Sequence, residues 1–189
     1  MTAKQIAQAE LVALNRIIDE LNDVDTEALE KEISKAKRIF VGGAGRSLLS
    51  MKGFAMRLMQ TGHETYLVGE VCTPSVQAGD LIIVGSGSGE TKVTLDVVRK
   101  ARSHGARAVV LTMHGESPIA QTCDRVIVIP GIPAVSTEDD EAAIFVKKNL
   151  VGNFFEASVT LVLDGIISAL MVQNGQTGEV IRYNHANLE

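Results

Sequence analysis

Five short runs rich in Val and Ile alternate with stretches of helical periodicity, and this alternation limits the fold more than any other feature. The runs occupy residues 38–41, 65–68, 81–84, 107–112 and 125–129. They are nearly continuous in apolar character, which fits strands buried on both faces. After the first run, residues 47–61 carry Phe54, Leu58 and Met59 at helical spacing and stop at Gly62. After the third, Val93, Val97, Val98 and Ala101 recur by threes and fours and stop at Gly105. Ser117-Pro118 predicts a short helix with Pro at its first position. Residues 72–74 open an irregular or short helical link. Repeated strand, helix, strand predicts an α/β fold with a doubly wound, five-stranded parallel sheet. In the flavodoxin-like order the first and third strands are neighbours, and ligands bind beyond their carboxyl ends.

Two helices are expected before the first strand, within a single domain spanning 1–189 whose helical segment is 1–36. Residues 2–22 place Leu11, Leu14, Ile18 and Leu21 on one stripe, with Ile17 beside it. Asp25 reads as the N-cap of a second helix, to residue 36, that buries Leu29 and Ile33. At 189 residues the chain is long enough for one domain with a substantial core. A formal net charge of -5 leaves no basic footprint for nucleic acid. No apolar run is expected to span a membrane. Residues 1–10 are unlike a secretory signal, and Cys72 and Cys123 have no metal-ligand spacing. Together these features suggest a cytoplasmic protein.

The first and third strands both run into glycine-rich turns, 42–47 and 85–91. In the second turn, Ser86-Gly87-Ser88-Gly89-Glu90-Thr91 opens a helix. The first amides of a helix lack internal partners and sit at its positive end, so such a loop can cradle an anion. Ser86, Ser88 and Thr91 add hydroxyl donors. No Lys lies in the loop, which argues against a nucleoside triphosphate and for a small phosphate monoester. The competing reading is a plain connection. The first turn partly resembles a dinucleotide fingerprint, but Leu48 stands where its third Gly belongs and only Glu70 offers itself for a ribose. Arg46 can fork onto a phosphate or a sugar hydroxyl, or form a surface salt bridge.

Residues 130–149 are the least regular stretch, and their 137–141 acidic run reads as a solvated loop. A long helix follows over 153–174, burying Val159, Leu163, Ile166, Ile167 and Leu170, with Glu156 in its first turn. The tail carries His185, which by position alone reads as a frayed solvent group.

Four segments carry a resemblance. Val41-Gly42-Gly43-Ala44-Gly45-Arg46-Ser47, Phe54-Ala55-Met56-Arg57-Leu58, the 86–91 loop and the closing His185-Ala186-Asn187-Leu188-Glu189 resemble the 6-phospho-3-hexuloisomerase family of the sugar isomerase (SIS) domain group. The likeness runs from about residue 40 to the last. It implies an SIS fold, a homotetramer, no cofactor or metal, and conversion of 3-hexulose 6-phosphate to fructose 6-phosphate on the ribulose monophosphate route of formaldehyde fixation or pentose supply. By position, it implies that Ser47, Ser86, Ser88 and Thr91 hold the phosphate with the amides of Gly87, Gly89 and Glu90. It makes Arg46 a sugar-positioning group, Glu156 the base and His185 a second proton-transfer group, able to reach a neighbouring subunit's site. Two departures from the family are Leu48, in place of a common Gly, and Asn153-Phe154, in place of a small hydroxyl residue and Leu. The second puts a hydroxyl contact near Glu156 in question. Moving a ketone from C3 to C2 needs one carboxylate on one face of an enediol. An isomerase for another sugar phosphate, such as arabinose 5-phosphate, and a non-catalytic sugar-phosphate sensor are the alternatives.

Overall fold

The β-branched runs all form strands, and each strand alternates its side chains between two cores. The protein is described by a computed structural model over residues 1–149 and 153–188. In chain order the elements are α1 (Ala3–Asp19), α2 (Asp23–Lys35), β1 (Ile39–Gly43), α3 (Gly45–Gln60), β2 (Thr65–Leu67), β3 (Leu81–Gly85), α4 (Lys92–Ser103), β4 (Arg107–Thr112), β5 (Arg125–Val128), α5 (Glu141–Asn149), α6 (Asn153–Gln173) and α7 (Gly178–Tyr183). The sheet is wholly parallel with the order β2-β1-β3-β4-β5, the flavodoxin-like arrangement.

Ile39, Val41, Leu81, Ile83, Val109, Leu111 and Ile127 face one core, shared with α1, α2, α3 and α6. Their neighbours Phe40, Ile82, Val84, Ala108 and Val110 face the other, shared with α4. This is the period-two alternation of a strand covered on both sides. Between β2 and β3 the chain makes no crossover helix. A cavity of about 650 Å³ lies there, lined by Phe40, Val68, Ile82 and Val97 and by no residue of the glycine-rich turns.

Several expectations are corrected. The N-cap of α2 is Asn22, whose Oδ1 accepts from the Val24 amide at 3.0 Å; Asp25 lies inside the helix. Leu11 faces solvent, while Leu14 and Ile17 of the expected stripe are buried with Ala13, and Ile18 and Leu21 pack against the same core. Val93 and Met59 are also exposed. After Ser117-Pro118 only a three-residue 3-10 turn forms, at Ala120–Thr122. The acidic run is not simply solvated: Asp139 pairs with Lys147 of α5 at 2.7 Å, with both side chains nearly covered. Residues 178–183, in the tail beyond the long helix, are themselves helical.

Helix α6 differs from expectation in one respect and meets it in another. Over Phe154–Gln173 it is long and apolar enough, by length and composition, to cross a membrane. Yet Val159, Leu163, Ile166, Ile167 and Leu170 are buried against the rest of the fold, as their spacing predicts.

Candidate active site

Strands β1 and β3 deliver the two glycine-rich turns side by side. Gly43 and Gly85 are partners in the parallel register. A Cβ on Gly43 would lie 3.0 Å from the Gly85 carbonyl, and one on Gly85 would lie 2.9 Å from Met51 Cγ. Glycine at both positions lets the strand ends close up under α3. The expected meeting of the two turns at one crevice is therefore present.

Helix α3 begins at Gly45, two residues earlier than its periodicity suggests, so Arg46 and Ser47 occupy its first turn. Neither α3 nor α4 has a side-chain cap on its N-terminus. Two helix starts with unfilled amides thus flank the crevice, a setting that favours an anion.

In the second turn, Ser86 is buried and its Oγ donates to Thr91 Oγ1 at 3.3 Å. That bond holds Thr91 on the loop instead of on its own helix. Ser88 and Glu90 are exposed, and the Glu90 amide donates to Ser88 Oγ. They border a cleft of about 580 Å³ with Met113, His114, Glu116 and Ser117. Gly87 packs under Phe155, whose ring atoms would lie 3.2 Å from a Cβ there. The Gly87 carbonyl accepts from the Met113 amide and from Thr112 Oγ1.

Phe155 leads to Glu156, in the first turn of α6. Ser47 Oγ donates to Glu156 Oε1 at 3.2 Å, and Arg46 Nε lies 3.8 Å from Oε2. Ser50 Oγ donates to the Glu156 carbonyl at 3.1 Å. The Glu156 side chain is only 14% exposed, and among the described residues Oε2 has no hydrogen-bond partner. The hydroxyl contact thrown into question by Asn153-Phe154 is supplied by Ser47, from another element. Gly152, part of the segment aligned with the family around Glu156, and the final Glu189 lie outside the described residues.

His185 is not brought to this cluster by its own chain. It is exposed and follows Asn184, whose Nδ2 donates to the Gln60 carbonyl at the last turn of α3. Ser47 lies at the first turn of α3, and at 1.5 Å per residue the two ends are roughly 20 Å apart. The distance is thirteen residues along one rigid helix. Sequence reasoning also passed over Phe155, Ser117 and Thr112, which shape the loop. Their signal was only that they are apolar or hydroxylated side chains next to strand ends. Among the described residues, no group of three or more His, Cys, Asp or Glu is placed to hold a metal ion.

Known proteins resemble this chain along most of its length. Residues 32–148 match the SIS domain, a span that includes both glycine-rich turns and stops short of Glu156 and His185. A 3-hexulose-6-phosphate isomerase of Methylomonas aminofaciens is 44% identical over 159 residues, covering 83% of each chain. One of Bacillus subtilis is 38% identical over 169 residues, covering 89% of each. A crystal structure from Methanococcus jannaschii, described as implying 3-hexulose-6-phosphate isomerase function, superposes with a TM-score of 0.77 at 28% identity over 98% of each chain. With its parallel sheet, its paired glycine-rich turns and relatives of this closeness along most of its length, the chain belongs to the SIS-domain family and, within it, to the family of the 3-hexulose-6-phosphate isomerases.

Proposed function

We propose that this chain is an isomerase that interconverts 3-hexulose 6-phosphate and fructose 6-phosphate, working as a homotetramer in the cytoplasm on the ribulose monophosphate route. The observation that carries the reading is the Glu156 carboxylate: covered, anchored by Ser47 through one oxygen, and, among the described residues, without a hydrogen bond at the other. The names of the relatives supply the substrate.

The 86–91 loop and the start of α3 receive the phosphate. Ser88 and Thr91 offer hydroxyls, Ser86 holds Thr91 in place, and the Gly87 amide joins them; the Ser47 hydroxyl and the amides of Gly89 and Glu90 are already bonded, to Glu156, the Ser86 carbonyl and Ser88 Oγ. A phosphate held away from the reacting carbons orients the sugar and anchors it. Glu156 Oε2 takes the proton from C2 and returns it to C3 on the same face of the enediol. Arg46, next to Oε2, meets the oxyanion that develops at the carbonyl. His185 moves protons between the two oxygens, the imidazole ring offering one nitrogen as donor and the other as acceptor.

Because α3 separates Glu156 from His185 in one chain, His185 serves the site of a neighbouring subunit. The outer faces of α3 and α6 support assembly. Leu49 and Met56 on α3, and Leu161 and Val172 on α6, are exposed large apolar residues on helices that pack together.

Turnover of 3-hexulose 6-phosphate to fructose 6-phosphate by the purified protein tests the activity; no turnover, or turnover only of an aldose phosphate, rejects it. Glu156→Gln is expected to abolish turnover while sugar-phosphate binding, read by calorimetry, stays within a few-fold. Wild-type-like turnover in that variant would remove Glu156 as base. Co-expressed Glu156→Gln and His185→Ala subunits are expected to regain activity that each lacks alone.

A further inference from the structure

The last turn of α3 accounts for all its carbonyls, and it does so with the tail. Thr61, Gly62 and His63 turn their amides back onto Arg57, Met59 and Leu58. The two carbonyls that remain are taken by side chains from beyond α6. Gln176 Nε2 donates to the Thr61 carbonyl at 3.1 Å, and Asn184 Nδ2 donates to the Gln60 carbonyl at 2.9 Å. Gln60 and Thr61 are buried, so water does not readily replace those donors. Asn184 is also the C-cap of α7, its amide donating to the Val180 carbonyl.

These two amides bracket α7 and fix both ends of the tail segment to one helix terminus. Beyond the second clamp the chain leaves the body of the subunit. His185 is exposed, its ring Nδ1 lying 3.1 Å from the Ala186 carbonyl, and Leu188 is fully exposed. The clamp is thus placed one residue before the group that must reach outward. Gln and Asn suit it because each offers an uncharged N–H donor to a carbonyl without bringing charge into a covered site.

We propose that Asn184 and Gln176 are positioning residues for the reaction, acting through His185: they set the direction in which it projects into the neighbouring subunit's site. The inference rests on the reading of His185 as a group shared between subunits.

Asn184→Asp keeps the shape, loses the N–H donor and sets a carboxylate against the Gln60 carbonyl. It is expected to lower kcat by roughly tenfold or more, as displacements near 1 Å do in a reacting geometry, with KM within about twofold because the phosphate loop is untouched. Gln176→Glu is the second variant, should the first fail to fold. Subunit mixing then assigns the role. Asn184→Asp subunits have an intact Glu156 and a misdirected His185. Co-assembled with Glu156→Gln subunits they regain activity; co-assembled with His185→Ala subunits they do not. Wild-type kcat in both variants overturns the inference, as does recovery of Asn184→Asp by His185→Ala. Absence of recovery between Glu156→Gln and His185→Ala instead overturns the shared-site reading, and this inference with it.

Discussion

A methyl group at position 89 would sit 1.9 Å from Ser117 Oγ and 2.3 Å from its Cβ, on a backbone already at φ +65°. Both facts exclude a side chain, and they hold the turn to a shape in which the Gly89 carbonyl accepts from the Ile119 amide. Gly89→Ala is expected to destabilise the fold by about 1–3 kcal/mol, from strain and overpacking together, read as a lower urea midpoint. The hydroxyls of 86–91 were legible in the sequence because their bonds are local, Ser86 Oγ to Thr91 Oγ1 and the Glu90 amide to Ser88 Oγ, whereas Gly87 and Gly89 answer to Phe155 and Ser117, far along the chain. Ser47 was expected at the phosphate, and its hydroxyl is bonded to Glu156, 109 residues away. No periodicity encodes that pairing. It follows only from α3 and α6 lying side by side. Asn22 and Asp25 show the opposite limit. Both are good capping residues, and α2 starts where the Asn22 side chain takes the Val24 amide; burial of Leu29 and Ile33 is compatible with either start and does not choose between them.

Among the elements, α6 bears most on both stability and chemistry. It touches α1, α2 and α3, and its first turn holds the candidate base. Leu163 is 1% exposed in its middle. Leu163→Ala is expected to cost about 2–5 kcal/mol, the range for a buried leucine deletion, measured as loss of unfolding free energy. Long elements of one character, such as α6 and β4, were readable to within a residue or two. Helix α7 was not: it has six residues, among them only Val180 and Ile181 as aliphatic signals, and its place depends on side chains that cap another helix. The same holds for α5, whose acidic flank looks solvated until Asp139 finds Lys147 across eight residues.

Over the whole molecule, the two edges of the sheet do different work. At the carboxyl edge lie the turns. At the amino edge lie ion pairs that tie elements distant in sequence: Arg38 with Asp80 at 2.6 Å, and Glu32 of α2 with Arg107 at 2.6 Å and Arg125 at 3.3 Å. The hydrogen bond from Arg107 holds the Glu32 carboxyl below its ordinary range, against the burial that pushes it up, with Arg125 adding to the effect. A folded value below the unfolded one adds stability above the unfolded value, and that stability disappears as pH falls through the folded value. The melting-temperature advantage over Glu32→Gln is therefore expected to be full at pH 7 and to fade below about pH 4.5, the unperturbed glutamate range. Strand order was legible at this scale because parallel crossovers allow few topologies. The separation of His185 from Glu156 was not, since nothing in the two motifs records which end of α3 each one meets.

The sixteen residues of α3 then have a kinetic consequence. On the proposed sharing of Glu156 and His185 between subunits, the reaction is second order in its own catalyst until the copies have associated. Specific activity is expected to fall as the enzyme is diluted, to return on concentration, and to persist to lower protein levels when a sugar phosphate bridges the junction. Initial rates measured over a wide range of enzyme concentration would trace that curve; a strictly linear dependence down to the lowest concentrations would mean that the copies never part.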